Sequence, residues 1–318
     1  MNNQIVAILE DRLNSFGKDI VIRPSVYRKK ESEWSRRIVP LPGESPDNCL
    51  KRIFNLTACD WQKYYHQATD GEGHESKNIL KLHSSALLSL LCFHNVSHQP
   101  IMIEGVIYNK AWFEVQNKVY DRPSSIDVVL QAENGDLLFL ESKFTEYFAS
   151  SKPNISDSYL NFYKTILKLI PNCPLEIIYP HRFKRDKKYV TGLTIKQNIL
   201  KHPTYLDGIK QCFSHLIGMC QGPSNSNDDC WRNVNKSTCL SFATIVYPHP
   251  HEAFNNYCEL YRKSIGKITS EMLRQCFNEK SYAGQIKVID HILNYHDIFN
   301  SSENLQVLST EIRKFYGF

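Results

Sequence analysis

Two apolar rhythms run along this chain. Between Ile5 and Phe16 the apolar residues recur at helical spacing, which predicts a short amphipathic helix. A second helix is expected from Glu75 to Asn95, with Ile79, Leu82, Ala86, Leu87, Leu90 and Leu91 as its stripe. The rhythm then changes. Trp112 to Val119 reads as a strand, Tyr120 to Pro123 as a tight connection, and Ser125 to Phe144 as a hairpin turning at Asn134-Gly135. Ser158 to Ile170 is expected to be helical, Leu175 to Tyr179 a strand ending at Pro180, and Tyr205 to Cys220 a helix. Leu240 to Tyr247 reads as a buried strand, with helical segments to the end of the chain. Val21 to about Cys49 is a basic, proline-punctuated extension.

The hairpin carries charge where an apolar strand should have none. Asp127 sits in its first strand, and Glu141 and Lys143 sit in its second. A lone buried charge costs several kcal/mol unless it is paired or bound to a metal, so the three call for one explanation. A metal site supplies it: carboxylates are hard oxygen ligands suited to Mg2+, and Lys143, two residues after Glu141, projects from the same sheet face. Parity limits the turn. A two-residue turn at Asn134-Gly135 would put Asp127 and Glu141 on opposite faces. A three-residue loop, Glu133 to Gly135 with a left-handed glycine bulge, sets Asp127 opposite Glu141 and Ser125 opposite Lys143. Val128, Leu130, Leu138 and Leu140 then share the other face. The same reasoning puts Glu114 on the face of Asp127 as a third acid, or else makes it a solvated edge-strand residue. Glu104 and Glu75 are weaker candidates.

Asp127 followed by Glu141-Ser142-Lys143 resembles the signature of the PD-(D/E)xK nuclease superfamily. More narrowly, Phe113-Glu114, then Arg122-Pro123-Ser124-Ser125-Ile126-Asp127, then Leu138 to Phe144, resembles its bacterial restriction-endonuclease-like members. Ile126 stands where the proline of the signature would be. The resemblance spans Ser76 to about Pro248 and is densest from Phe113 to Phe144. It implies an α/β fold with a restriction-endonuclease-like core, a mixed central sheet built in the order helix, three-strand meander, helix, strand and flanked by helices. It also implies Mg2+- or Mn2+-dependent hydrolysis of DNA phosphodiesters. Asp127 and Glu141 would hold the ion, with the Ser142 carbonyl and Glu114 completing its shell, and Lys143 would act on the attacking water.

Other residues are drawn in by the same resemblance. Gln211 and His215, one turn apart on the expected helix from Tyr205, look similar to the residues that brace such sites. Ser84, within His83-Ser84-Ser85, resembles the polar mark on the first core helix; its ordinary alternative is a small residue at a close helix contact. For His215 the ordinary alternative is a structural histidine.

Composition agrees with this picture. With 318 residues and 42% hydrophobic content the chain can bury a large core, and a net charge of +5 suits transient nucleic-acid binding. The positive charge is clustered at Arg23, Arg28, Lys29, Lys30, Arg36 and Arg37, and again at Arg182, Lys184, Arg185, Lys187 and Lys188. The second cluster is a candidate DNA contact, and either could grip phosphates. The ten cysteines show no C-x-x-C spacing and read as mostly buried, reduced thiols. No stretch approaches the roughly 20 apolar residues of a membrane span, and the N-terminus lacks the pattern of a signal peptide, so a cytoplasmic protein without membrane contact is expected.

The expected organisation is a basic N-terminal extension (1–70), a nuclease-like core (71–265) and a C-terminal helical extension (266–318). DNA is the expected partner, with a homodimer as the candidate assembly. Two other functions compete. One is a catalytically silent nucleic-acid-binding module of the same fold. The other is a zinc hydrolase built on His249 and His251 of Tyr247-Pro248-His249-Pro250-His251-Glu252. Without a metal, the two neighbouring acids Asp127 and Glu141 are expected to repel, so that one tends to protonate.

Overall fold

The computed structural model describes residues 2–27, 30–57, 60–69, 78–120, 122–148, 153–182, 189–196, 205–224, 229–277 and 281–318. The protein is mixed α/β. Its main sheet has the strand order β10-β9-β6-β5-β4-β3, and β11 also pairs with β9. These strands are β3 (Ile101–Ile103), β4 (Val106–Val119), β5 (Arg122–Ala132), β6 (Leu137–Lys143), β9 (Leu240–Val246), β10 (Ile286–Val288) and β11 (Leu293–Asn294). Two further sheets are two-stranded: β1 (Val21–Tyr27) with β2 (Lys30–Val39), and β7 (Leu175–Arg182) with β8 (Tyr189–Ile195). The chain divides into two compact units, Met1–Glu114 with Asp127–Glu133 and Asn294–Phe318, and Val115–Ile126 with Asn134–Leu293.

Among the described residues of the first unit the α-helices include α1 (Asn2–Asn14), α2 (Pro46–Phe54), α3 (Trp61–Thr69), α4 (Ser85–Phe93), α9 (Tyr295–Phe299) and α10 (Thr310–Tyr316). The run Ser85-Ala-Leu-Leu-Ser-Leu-Leu-Cys-Phe93 is apolar all round, which makes α4 a core helix, and Ala86 to Phe93 are all buried. It is shorter than the Glu75–Asn95 helix expected: residues 70–77 lie outside those described, Asn78 is helical, and Ile79 to Ser84 lead to α4 without helix. Ser84 starts the helix, its side chain accepting a hydrogen bond from the Leu87 N–H at 3.2 Å.

The C-terminal segment is tied in by the buried Asn304. Its side chain accepts from the Met102 N–H at 2.8 Å and donates to the carbonyls of Met102 and Ile298. Phe93 meets Phe299 with ring centroids 5.6 Å apart, and Phe54 meets Phe315 at 5.3 Å. The expected irregular extension from Val21 to Cys49 proves to be largely the β1–β2 hairpin followed by α2. Beyond that hairpin β2 meets a third segment: the Ile38 N–H donates to the Leu80 carbonyl, the Leu82 N–H to that of Arg36, and Arg37 is bridged with Lys81.

In the second unit the helices are α5 (Asp157–Leu169), α6 (Leu206–Gln221), α7 (Glu252–Lys263) and α8 (Ser270–Cys276). β6 and β9 run parallel, from Leu137 beside Leu240 to Lys143 beside Val246. Parallel strands covered on both faces read as continuous apolar runs, and every residue of β6 is buried. The strand beside β6 is therefore β9. The segment expected to end at Pro180 continues to Arg182 and pairs with β8 instead. A register shift between Ile178 and His181 accommodates a proline that cannot donate to the ladder.

Gly135 has φ +91°, the left-handed glycine expected at the hairpin, although the connection between strand ends runs from 133 to 136. Asp136 lies just before β6, where its carboxylate accepts from the Cys239 N–H at 2.7 Å. Among the described residues no helix is long and apolar enough to cross a membrane.

Candidate functional site

Residues two apart on a strand share a face, so β6 places Glu141 and Lys143 together in the second unit. Lys143 Nζ lies 2.5 Å from Glu141 Oε1, with both side chains buried. Glu141 stands in register with Thr244 of β9, whose hydroxyl is 3.3 Å from the thiol of Cys212 on α6.

The same helix supplies the third member. α6 approaches β4 at Gly218, where a Cβ would lie 2.7 Å from Asn117 Cβ and 3.2 Å from Val119 Cγ2. One turn earlier His215, 3% exposed, brings Nε2 to 2.8 Å from Glu141 Oε2. The ring N–H direction misses that oxygen, so the contact has ion-pair distance without hydrogen-bond alignment. On the other side of the ring Ser124 Oγ lies 2.9 Å from Nδ1. With the ring proton on Nε2, Nδ1 accepts the Ser124 hydroxyl. The result is a connected row, Ser124, His215, Glu141, Lys143, drawn from β5, α6 and β6.

Burial by itself drives the Glu141 carboxyl upward. Lys143 and His215 more than reverse this and hold it at about 2. Of the two acids expected to repel one another, Glu141 is thus the one held ionised, by Lys143 and His215. Tyr205, at the start of α6, has its hydroxyl pushed up to about 12, chiefly by burial, with Lys143 acting in the opposite direction.

The other candidates are divided between the two units. Asp127 is half-buried on β5 and belongs to the first unit. Glu114, in that unit too, is half-buried on β4 with φ +50°, a left-handed backbone unusual inside a strand. Glu104 sits exposed beside Gly105 at the two-residue turn from β3 to β4, both with positive φ, which suits a hairpin tip rather than a ligand. Ser142, expected to contribute its backbone carbonyl, is fully buried and in register with Ile245. Gln211, expected to share the site with His215, is exposed while His215 is buried, so they are not brought together. Ser84 belongs to the first unit and is occupied as a helix cap. Arg182 ends β7, and Glu75, Lys184, Arg185, Lys187 and Lys188 lie outside the described residues.

The rings proposed for zinc have other employment. His251 Nδ1 accepts from the Ala253 N–H at 3.0 Å, capping α7, and His249 packs among Phe144, Tyr147, Phe148 and Tyr247. Sequence reasoning missed Ser124. Parity had favoured its neighbour Ser125, and Ser124 declares itself only through a helix far along the chain.

For a hard cation the donor chemistry fits at Glu141, whose carboxylate is ionised near neutral pH, although Lys143 and His215 engage both of its oxygens. Among the described residues no group of three or more His, Cys, Asp or Glu side chains is arranged to hold a metal ion. Comparison with protein-family models, curated proteins and solved structures finds no match.

Proposed function

We propose that this protein is a metal-dependent nuclease that hydrolyses DNA phosphodiesters, of the PD-(D/E)xK kind. The observation that carries the reading is the buried Glu141–Lys143 pair on one face of β6, with its carboxylate held ionised. The order α4, then β4, β5 and β6, then helices, then β9 parallel to β6 supports the same reading, because it matches the expected core order.

Glu141 supplies a hard oxygen donor without first losing a proton. The sequence motif assigns Asp127 the same role, and Glu114 and the Ser142 carbonyl the rest of the shell. Mg2+ or Mn2+, when bound, polarises the phosphoryl oxygen and acidifies a water molecule. Lys143 orients the attacking water and offsets the negative charge that develops on phosphorus. His215 and Ser124 hold the Glu141 carboxylate in place.

One observation favours a second reading, a silent nucleic-acid-binding module: both Glu141 oxygens already have basic partners. Cleavage of plasmid DNA in Mg2+ against EDTA separates the two. The nuclease reading expects cation-dependent cutting, lost in Glu141→Ala and reduced by orders of magnitude in Lys143→Ala, with DNA affinity in Ca2+ little changed. A parent that binds DNA in Ca2+ but never cuts it favours the silent module.

A further inference from the structure

A line of positive charge crosses the small sheet of the first unit. Arg23 on β1 is the cross-strand partner of Arg37 on β2, and Arg37 is bridged on its other side to Lys81. Directly opposed residues of antiparallel strands point to the same face with their Cβ atoms about 5 Å apart, and like charges so placed repel. Three in a row therefore need a counter-charge.

The neighbouring cation has one: Arg36, on the opposite face, lies 3.6 Å from Glu10. Among the described residues Arg23, Arg37 and Lys81 have no acidic partner. Moreover, Arg37 Nε is buried and has no hydrogen-bond partner. A buried guanidinium N–H left unmatched costs free energy that an oxyanion would recover, and the planar fork of arginine matches phosphate oxygens. Burial, and after it the field of Arg37, lowers the pKa of Lys81, in accord with a positive charge that no described residue neutralises. Arg23 is exposed and Arg37 and Lys81 are half-buried, so the row grades from an accessible end to an enclosed one.

We propose that Arg23, Arg37 and Lys81 form a binding site for a phosphate oxyanion. The phosphate has two candidate sources, the DNA backbone under the nuclease reading, or free phosphate and small phosphate esters.

The test is calorimetric titration of the full chain with inorganic phosphate at constant ionic strength. Saturable binding is expected, weakened about tenfold or more in Arg37→Gln and in Lys81→Gln, and unchanged in Arg36→Gln. Arg37→Lys, which keeps the charge but not the fork, should fall between. Should Arg37→Gln not fold, Lys81→Gln carries the test, since removing Lys81 relieves repulsion. Duplex DNA binding over a salt series then identifies the source. A slope shallower by about one unit in each variant points to the DNA backbone, and an unchanged slope to a small phosphate. Failure of the parent to bind phosphate, or variants that bind it as the parent does, would overturn the proposal. Cleavage at Glu141 and Lys143 is scored separately, so neither result decides the other.

Discussion

His215 on α6 places its Nε2 2.8 Å from Glu141 Oε2 on β6, so that a carboxylate buried in the sheet is held from above by a helix. Acidic and basic groups are thereby matched inside the second unit before any ligand arrives.

Acid should therefore weaken the fold through Glu141. Its folded pKa of about 2 lies below the ordinary 4.5, so its contribution is complete above 4.5 and is lost as pH falls toward 2. The loss is on the order of 3 kcal/mol. Urea unfolding measured between pH 7 and pH 2.5 should show this fall in the parent and a shallower one in Glu141→Gln. Equal acid limbs would show that Glu141 is not held low.

Replacing His215 with alanine removes one partner of a buried charge, a change that costs about 3–5 kcal/mol. Ser124→Ala should cost less. The double variant should depart from additivity by roughly 0.5–3 kcal/mol, because both side chains belong to one connected row. Denaturant midpoints of the four proteins give the cycle, and strict additivity would separate Ser124 from the row.

Gly218→Ala should destabilise by about 1–3 kcal/mol, since the added methyl would overlap Asn117 and crowd Val119. Gly284→Ala is the control: its nearest neighbour would be Arg274 Cδ at 3.9 Å, an ordinary contact. Thermal unfolding of the two variants compares them directly.

Among the described cysteines, thiol labelling of the native protein should begin at the half-buried Cys239, Cys258 and Cys276. Cys49, Cys92, Cys173, Cys212, Cys220 and Cys230 are buried and should label only on unfolding. Burial raises Cys258 and Cys276 to about 11, so alkylation at those two should accelerate as pH rises. Mass spectrometry of the alkylated peptides reads the order.

What could be read in advance follows physical lines. The strands β6 and β9 announce themselves through apolar runs, and the pairing of Glu141 with Lys143 needs only a two-residue period. Gly135 is legible because an Asn-Gly step between apolar runs calls for a left-handed residue. The β1–β2 hairpin was not, because its basic residues and Pro24 break the alternation that marks a strand. The helix expected from Glu75 was drawn too long because Ile79 and Leu82 continue the apolar stripe of α4, while Ser84, a cap by chemistry, was read as an interior residue. His215 was drawn to the site only through the resemblance, and Ser124 was passed over. Partners so distant in sequence leave no local periodicity.

The parallel pairing of β6 with β9 also orders events in time. β6 ends at Lys143, α6 begins at Leu206 and β9 begins at Leu240, so a chain emerging from the ribosome presents Glu141 well before His215 or the covering strand exists. Until then a strand of leucine and phenylalanine carries an acid whose main compensation is its own neighbour Lys143. Non-local pairings of this kind form slowly and leave strand edges exposed meanwhile. The arrangement that makes the finished site rigid thus makes the unfinished chain the vulnerable one, and conditions that stall synthesis between residues 143 and 240 are those in which it should aggregate.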